Sequence, residues 1–284
     1  MGLDFYVVGL ACQPFSKEGK NAGTRDKADG GRGNLFQFAV KFIQNRLPKV
    51  FIIENVENLV KQHASTFNRW MRTLRAIHDG VYTVDWQIMV TDEHGLPQRR
   101  RRLYIVGIRL DALKHKFVWP TPVGTVDLDS ILDPADPTED PLTLPTTATA
   151  AKNVVAALEK VIKNGWDIRV PAALDQGSSH GSLMVGSVPT LTASRCSQGG
   201  YWLLHRGRLT KSSELRRLQG LPARHYATHD EHMTQNQFNH AVGNAMSGNV
   251  LTRVLVAAIA SIFGPGLVHD PWACPAQAVK SILF

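Results

Sequence analysis

The chain has 284 residues, of which 43% are hydrophobic and 20% are charged, the composition of an ordinary globular protein. Its net charge of +8 fits a polyanionic partner, because lysine and arginine release counterions from phosphates, and fits a basic solvated surface equally well. Three cysteines without metal-ligand spacing argue against a disulfide framework or a zinc site, and no apolar run reaches the roughly 18 residues of a membrane helix. We therefore expect an intracellular protein with no bound metal and no membrane partner.

The first predicted strand is the apolar run at residues 5–8, and Cys12 follows it in a short loop. Open α/β sheets place their chemistry at the carboxyl ends of strands, which makes Cys12 a candidate nucleophile. The polar, glycine-rich residues 17–34 predict a long loop of the kind that often serves as a lid. A helix that closes at Pro48 and a second apolar strand at 50–53 complete a parallel strand–loop–helix–strand unit.

Four consecutive arginines at 99–102 precede a further predicted strand at 103–109. Before them, apolar residues at helical spacing predict a helix that ends at Gly80, and residues 81–90 predict a strand near the sheet edge. Along a strand, the even-numbered and the odd-numbered arginines of the run lie on opposite faces. One pair could therefore enter a site while the other contacts phosphate, and a solvated basic stripe is the alternative.

The composition changes after Trp119. Residues 120–148 are rich in proline, aspartate and threonine, which predicts a linker or an irregular insertion. A short helix over 151–163 is followed by scattered glycines, serines and short apolar pieces over 166–208. This pattern predicts a small, irregular second domain.

Regular structure is predicted to return in the last third of the chain. Thr210 is the predicted N-cap of a helix that ends at Leu218, because a threonine hydroxyl can accept a hydrogen bond from the first turn. A final helical region runs over about 235–263, with interruptions at Gly243 and Gly248. No internal repeat is found.

Five short stretches follow one another in a specific order. The first three are Ala11-Cys12-Gln13-Pro14-Phe15-Ser16, then Glu54-Asn55-Val56, then His94-Gly95-Leu96-Pro97-Gln98 with Arg100 and Arg102. The last two are Pro189-Thr190-Leu191-Thr192 with the stretch from Arg208 to Pro222, and Gly243-Asn244-Ala245. In this order they resemble the motifs of the DNA cytosine-5 methyltransferases, over essentially residues 4–262. The first three are similar to the family's Pro-Cys-Gln, Glu-Asn-Val and Gln-x-Arg-x-Arg motifs.

The chain departs from the family pattern in two ways. The family's Gly-rich cofactor motif and the acidic residues after its second and third strands are not found, so this chain opens at about the family's fourth strand. In addition, Ala11 stands where the family has proline, which frees a backbone φ angle that is usually fixed. The resemblance therefore implies an α/β fold with a partial Rossmann-like, S-adenosylmethionine-dependent methyltransferase sheet and a small irregular target-recognition domain.

The resemblance also implies a division into three parts. Residues 1–119 would be the first part of the catalytic α/β domain. Residues 120–208 would be a small target-recognition region with its linker. Residues 209–284 would be a C-terminal helical segment that returns to the catalytic domain.

The activity implied by the resemblance is methyl transfer from S-adenosylmethionine to carbon 5 of cytosine in DNA, through a covalent intermediate on Cys12. Glu54 would contact the Watson–Crick edge of the base and stabilise a proton at ring nitrogen 3. Arg102 would hold the O2 side, Arg100 would support the site, and Gln98 would shape the turn. The target base would have to leave the duplex, because Cys12 cannot reach it inside the stack.

Further residues of the matching motifs would surround this centre. The cofactor-binding set would be Gly9, Ala11, Gly243, Asn244 and Ala245. The candidate DNA-binding set is Gln13, Ser16, Arg32, Asn55, Gln98 and Arg195. For Arg195, and equally for Arg206 and Arg208, a phosphate contact and a plain surface charge are equally good interpretations.

The expected partner is double-stranded DNA rather than RNA, together with a complementary N-terminal segment or subunit that would complete cofactor binding. Two other functions stay open. One is a truncated, non-catalytic DNA-binding remnant or a subunit that depends on a partner for its cofactor. The other is a transfer RNA cytosine-5 methyltransferase. For the DNA enzyme we expect the nucleus in a eukaryote and the cytoplasm in a bacterium.

Overall fold

The computed structural model describes residues 4–10, 14–15, 23–25, 34–177, 181–223 and 233–283. The chain divides into two compact units. Unit 1 comprises residues 1–89, 101–120 and 253–269, and unit 2 comprises residues 90–100, 121–252 and 270–284. The predicted three-part division follows the chain order, whereas each unit gathers three separate stretches of chain.

Unit 1 is built on a four-stranded sheet. Its strands, in chain order, are β1 (Phe5–Gly9), β2 (Val50–Val56), β3 (Tyr82–Val90) and β4 (Arg101–Arg109), and their spatial order is β1-β2-β4-β3. Strand β1 runs parallel to β2 and β4 runs antiparallel to it. The predicted parallel strand–loop–helix–strand unit is confirmed, and so is the position of β3 at the sheet edge.

Three helices of unit 1 lie between these strands in the chain. They are α1 (Leu35–Arg46), α2 (Asn58–Lys61) and α3 (Ala64–Arg75). The buried apolar residues of α1 (Phe36, Ala39, Val40 and Ile43) recur on one face, and the ring of Phe36 stacks on that of Trp70 at 4.0 Å between centroids. Strand β2 is buried along its whole length, which explains why its first four residues are an unbroken apolar run.

Unit 2 contains a small antiparallel sheet that the sequence did not predict. Its strands, in spatial order, are Arg208–Leu209, Trp202–Leu203, β5 (Ala172–Asp175) and β6 (Ser182–Val185). Helix α4 (Ala148–Lys163) contributes Val154 and Val161 to the apolar cluster that covers this sheet. Within the region predicted as a small irregular domain, four short strands with little alternation pair through their backbones.

The remaining regular elements are short strands and helices. Two-residue strands pair His94–Gly95 with Gly124–Thr125, and Gln98–Arg99 with Val188–Pro189. The other helices are α5 (Ala193–Ser197), α6 (Ser212–Leu218), α7 (Gln235–Asn244), α8 (Gly248–Phe263) and α9 (Pro275–Leu283). Among the described residues, no single helix is long and apolar enough to cross a membrane; α7 and α8 meet that test only together, as a pair bent by 44°.

Two predicted details at helix ends differ in the structure. Helix α6 begins at Ser212 with Lys211 at its N-cap, and the Thr210 hydroxyl instead accepts a hydrogen bond from the Tyr201 N–H at 3.1 Å. The carboxylate of Glu214 accepts from the Lys211 N–H at 2.7 Å and so supplies the cap. Gly243 lies inside α7, one residue before its end, rather than at a break. Glycine is required there because a side chain would overlap the carbonyl oxygen of Thr192.

Strand β1 is an edge strand of the sheet within the described part of the chain, and apolar surface lies beside it. The rings of Tyr6 on β1 and Phe42 on α1 stack at 4.5 Å. Phe38 is 64% exposed and Phe42 is 38% exposed. An open strand edge beside exposed aromatic rings favours association with other chains.

We expect Phe38→Glu to reduce self-association of the chain, because it places a charge on this apolar surface. The control is Lys41→Glu, which adds negative charge to an exposed position of the same helix and leaves Phe38 in place. Light scattering coupled to size exclusion would measure the monomer fraction at matched concentrations. An equal monomer fraction for Phe38→Glu and the control would contradict the role of the aromatic surface.

Candidate functional site

The centre of the candidate site in unit 1 is a buried ion pair between Glu54 and Arg102. Glu54 lies on β2, its side chain is 8% exposed, and its Oε1 lies 3.2 Å from Nε of Arg102. In the sheet, Glu54 is opposite Tyr104 and Val56 is opposite Arg102. Glu54 and Arg102 are therefore diagonal neighbours on one face, within reach of each other. The structure brings together the two side chains to which the sequence assigned contacts with the base.

Asn55 follows Glu54 and is also buried. Its Oδ1 accepts a hydrogen bond from the Val56 N–H at 2.8 Å. Its Nδ2 has no hydrogen-bond partner among the residues that the structure describes. A buried amide donor without a partner is costly, so this donor is a suitable contact for a bound polar group.

The loop that carries Cys12 is described only at its two ends. The candidate residues Ala11, Cys12, Gln13, Ser16 and Arg32 lie outside the described residues, as does most of the predicted lid at 17–34. At the first end, the Leu10 N–H donates to the main-chain oxygen of Glu54 at 3.2 Å. This end of the loop is therefore attached to the strand position that carries the candidate acid.

The second end of this loop is held by Phe15 and Asn58. The Phe15 ring is buried and makes edge contacts with His63 at 5.3 Å and with Trp70 at 5.5 Å. The buried Asn58 amide donates from Nδ2 to the Phe15 carbonyl at 2.7 Å. Sequence analysis missed Asn58, although its position four residues after Glu54, at the start of α2, was a usable signal.

The four consecutive arginines have four different environments. Arg99 pairs with Asp92 at 3.3 Å, and Arg101 pairs with Glu57 at 2.9 Å. Burial raises the pKa of Glu57, but hydrogen bonds from Lys61 and Arg101 outweigh it and hold that pKa below its usual value. The odd-numbered pair, predicted to contact phosphate or solvent, is thus engaged by carboxylates in this structure.

Arg100 lies in unit 2 and is directed at main-chain oxygens. Its Nη1 donates to Leu191 at 2.5 Å and to Gly243 at 3.3 Å, and its Nη2 donates to Ala245 at 2.9 Å. Arg100 is 3% exposed. The geometry is that of a buried anchor for the backbone; the resemblance implied for Arg100 a supporting role among the catalytic residues.

The other predicted site residues differ in their exposure to solvent. Gly9 at the end of β1 and Asn244 at the end of α7 are exposed and accessible to a ligand. Gln98 is fully buried, with its amide on Leu218 and Gln219, so DNA could not contact it in this conformation. Arg195 forms an ion pair with Asp175 at 3.0 Å and is partly exposed.

Two arginines at the edge of the small sheet of unit 2, Arg206 and Arg208, are held by carboxylates. Arg206 pairs with Asp129 at 2.9 Å and with Glu139 at 3.0 Å, and Arg208 pairs with Glu139 at 2.5 Å and with Glu214 at 2.9 Å. The two guanidinium groups thereby fasten the segment before α4 to the small sheet and to α6. In this structure Arg206 and Arg208 are structural ion-pair partners, which weakens their interpretation as phosphate contacts.

Proteins that are similar to this chain identify its family. A family model described as C-5 cytosine-specific DNA methylase matches residues 2–260. The chain is 29% identical over 273 residues to the type II methyltransferase M.HaeII of Haemophilus aegyptius, an alignment that covers 91% of this chain and 74% of that relative. It is 35% identical over 122 residues to the type II methyltransferase M.NgoBI of Neisseria gonorrhoeae, covering 43% of this chain and 35% of that relative.

Solved structures show the same fold. The Entamoeba histolytica methyltransferase EhMeth matches with a TM-score of 0.57 at 15% identity, over 90% of this chain and 77% of that chain. A Spodoptera frugiperda DNMT2 matches with a TM-score of 0.53 at 14% identity, over 90% of this chain and 79% of that chain. These similarities confirm the predicted α/β methyltransferase fold.

We expect Asn58→Leu to destabilise the chain by about 1–3 kcal/mol, because the Phe15 carbonyl then loses a buried donor. Urea unfolding of the full chain measures this free energy. The control is Gln62→Leu, which removes a neighbouring partner of Asn58 at 3.3 Å and keeps the bond to Phe15. An unfolding free energy for Asn58→Leu within about 0.5 kcal/mol of the parent would contradict its anchoring role.

Acid should weaken unit 2 through Asp133. Burial raises the pKa of Asp133, but hydrogen bonds from Arg217 and Lys211 outweigh it and leave that pKa below its usual value. A carboxyl with a depressed folded-state pKa stabilises the fold above its unfolded-state pKa, and this stability is lost as pH falls through the folded-state pKa. We therefore expect Asp133→Asn to lower the Tm at pH 7 and to reduce the loss of Tm between pH 6 and about pH 3. A parallel pH dependence in both proteins would contradict the assignment.

Proposed function

Because the chain belongs to the C-5 cytosine-specific DNA methylase family, we propose that it transfers a methyl group from S-adenosylmethionine to carbon 5 of cytosine in double-stranded DNA. The observation that carries this proposal is the buried Glu54–Arg102 pair on the strand whose end also holds the loop of Cys12. An acid and a cation in contact, next to a loop that carries a thiol, supply the groups that this reaction needs.

The proposed chemistry begins with the thiolate of Cys12. Carbon 5 of cytosine is a poor nucleophile until the thiolate adds to carbon 6 and turns the ring into an enamine. When bound, S-adenosylmethionine would supply an electrophilic methyl group on a sulfonium sulfur and would leave as the neutral thioether, which keeps the electron pair of the broken carbon–sulfur bond. After carbon 5 has taken the methyl group, a base removes the proton from carbon 5, and the bond between carbon 6 and Cys12 breaks to release the thiolate.

Glu54 and Arg102 would act on the pyrimidine edge of the flipped base. The Glu54 carboxyl would hold a proton at ring nitrogen 3 while the thiolate adds, because this proton offsets the negative charge that enters the ring. The Arg102 guanidinium would hold O2 and keep the Glu54 carboxyl in place from Nε. The free Nδ2 donor of Asn55, among the described residues, is available to the same bound nucleotide.

The family resemblance assigns cofactor contacts to Gly9 of unit 1 and to Gly243–Ala245 of unit 2. Gly9 exposes its backbone at the carboxyl end of a parallel strand, where nucleotide-like ligands bind in open α/β sheets, and Asn244 exposes an amide. Ala11 would add its backbone. We infer that the adenosine contacts come from a complementary N-terminal segment or subunit, and the edge position of β1 supports this inference because another strand can pair there.

The proposed substrate is duplex DNA. The net charge of the protein chain, +8, favours a polyanionic partner. Gln13, Ser16 and Arg32 are proposed contacts for the nucleotide and its phosphates, with Arg195 as a further candidate if its pair with Asp175 opens. The enzyme would act where DNA is, in the nucleus of a eukaryote or the cytoplasm of a bacterium. The proposal includes no membrane partner and no bound metal.

The test is covalent trapping on 5-fluorocytosine, whose carbon 5 has no proton to lose after methyl transfer. The full chain is incubated with S-adenosylmethionine and a duplex that contains this base, alone and with the part of M.HaeII that has no counterpart in this chain. We expect a denaturant-resistant adduct that maps to Cys12, no adduct for Cys12→Ser, and a rate at least about 100-fold lower for Arg102→Leu.

Three outcomes distinguish the alternatives. An adduct that needs the added segment supports the subunit form of the proposal. An adduct on a fluorinated transfer RNA but not on the duplex would reassign the substrate to RNA. Absence of adduct with both nucleic acids, with and without the segment, would contradict the catalytic proposal and leave a non-catalytic DNA-binding protein.

A further inference from the structure

A closed ring of hydrogen bonds lies in the interior of unit 2. Its side chains are Gln98, Arg100 and Gln219, and all three are buried. Its main-chain members are Leu191 and Ala245. We define these five residues as the Arg100 ring.

The bonds of the ring can be followed from residue to residue. The Leu191 N–H donates to Oε1 of Gln98 at 3.3 Å, and the Leu191 carbonyl accepts from Nη1 of Arg100 at 2.5 Å. Nη2 of Arg100 donates to the Ala245 carbonyl at 2.9 Å, which also accepts from Nε2 of Gln219. Nε2 of Gln98 donates to Oε1 of Gln219 at 3.0 Å and closes the ring.

The ring joins four stretches that are far apart in sequence. Arg100 also donates to the Gly243 carbonyl at 3.3 Å, so it binds the main chain on both sides of Asn244. A side chain at Gly243 would overlap the Thr192 carbonyl, which shows how closely α7 approaches the backbone just before α5. The conformation of Gly243–Ala245 is therefore set from inside by Arg100 and from the side by Thr192.

We propose that Arg100 is a positioning residue that fixes the Gly243–Ala245 segment for the cofactor, and that it does not contact the reacting base. The role in cofactor binding depends on the proposed function, whereas the role in ordering this segment does not. The two Nη atoms of Arg100 are already bound to carbonyls and the side chain is buried, so it is occupied by the backbone. Arg102 differs, because its Nε faces the carboxylate of Glu54.

Bonding to Leu191 and Ala245 at the same time requires the planar guanidinium of arginine. Its rigid fork places donors in fixed directions and can serve Leu191 and Ala245 at the same time. The compact ammonium of lysine is a point charge on a flexible stem and cannot reproduce both bonds in one geometry. Arg100→Lys should therefore keep the charge and lose the order of the segment.

The first test is hydrogen exchange of the full chain without cofactor or DNA. We expect Arg100→Lys to raise the exchange rates of amides in 190–193 and 241–246 at least tenfold, with smaller changes elsewhere. The matched control Arg102→Lys should leave both segments at the parent rate. Gln219→Met, which breaks the ring and keeps Arg100, should change the same amides in the same direction and remains informative if Arg100→Lys does not fold.

The second test separates positioning from catalysis. It measures methyl transfer to duplex DNA by the full chain, together with the complementary segment if transfer requires it. We expect Arg100→Lys to raise the KM for S-adenosylmethionine at least tenfold and to lower kcat less than tenfold. We expect Arg102→Lys to lower kcat at least tenfold and to raise that KM less than tenfold. A large loss of kcat for Arg100→Lys with an unchanged KM would overturn the proposal in favour of a catalytic role. Unchanged exchange rates in 241–246 for both ring variants would overturn it whether or not the chain proves to be a methyltransferase.

Discussion

The ion pair between Glu54 and Arg102 is the interaction on which the rest of the candidate site depends. Burying a carboxylate is costly unless a cation pairs with it, and the Glu54 side chain is only 8% exposed. The pairing of β2 with β4 provides that cation, since the antiparallel register puts the two side chains on one face. A slip of one residue would turn Arg102 to the other face and leave Glu54 buried without this partner.

The same strand end also organises the nucleophile loop. The Glu54 carbonyl accepts from the Leu10 N–H, and Asn58, four residues further along the chain, donates from its side-chain amide to the Phe15 carbonyl. Both ends of the loop that carries Cys12 are thus attached to the end of β2 and the start of α2, close to the acid in sequence. In both bonds the loop contributes a main-chain group, and the buried Phe15 ring adds packing at the second end.

The run of four arginines shows how one chemical type is used in several ways. Arg99 and Arg101 are partly exposed and pair with carboxylates, which usually contributes little to stability. Arg102 meets a buried acid, and Arg100 binds carbonyls of two main-chain segments, at Leu191 and at Gly243–Ala245. Alternation along a strand predicted two faces for this run, but Arg100 lies between two separate strands, so simple alternation does not apply to it.

The sequence by itself determined the family, the parallel β1–α1–β2 unit, the edge strand and the side chains at the strand ends, because periodicity and short motifs are local properties of the chain. Tertiary structure alone decided which arginine meets which acid, the role of Asn58 and Gln219, and the small sheet of unit 2. The Asn58–Phe15 and Gln98–Gln219 bonds join residues that are 43 and 121 positions apart. Partners at such separations are selected by packing and by the need to satisfy buried polar groups, neither of which a local pattern records.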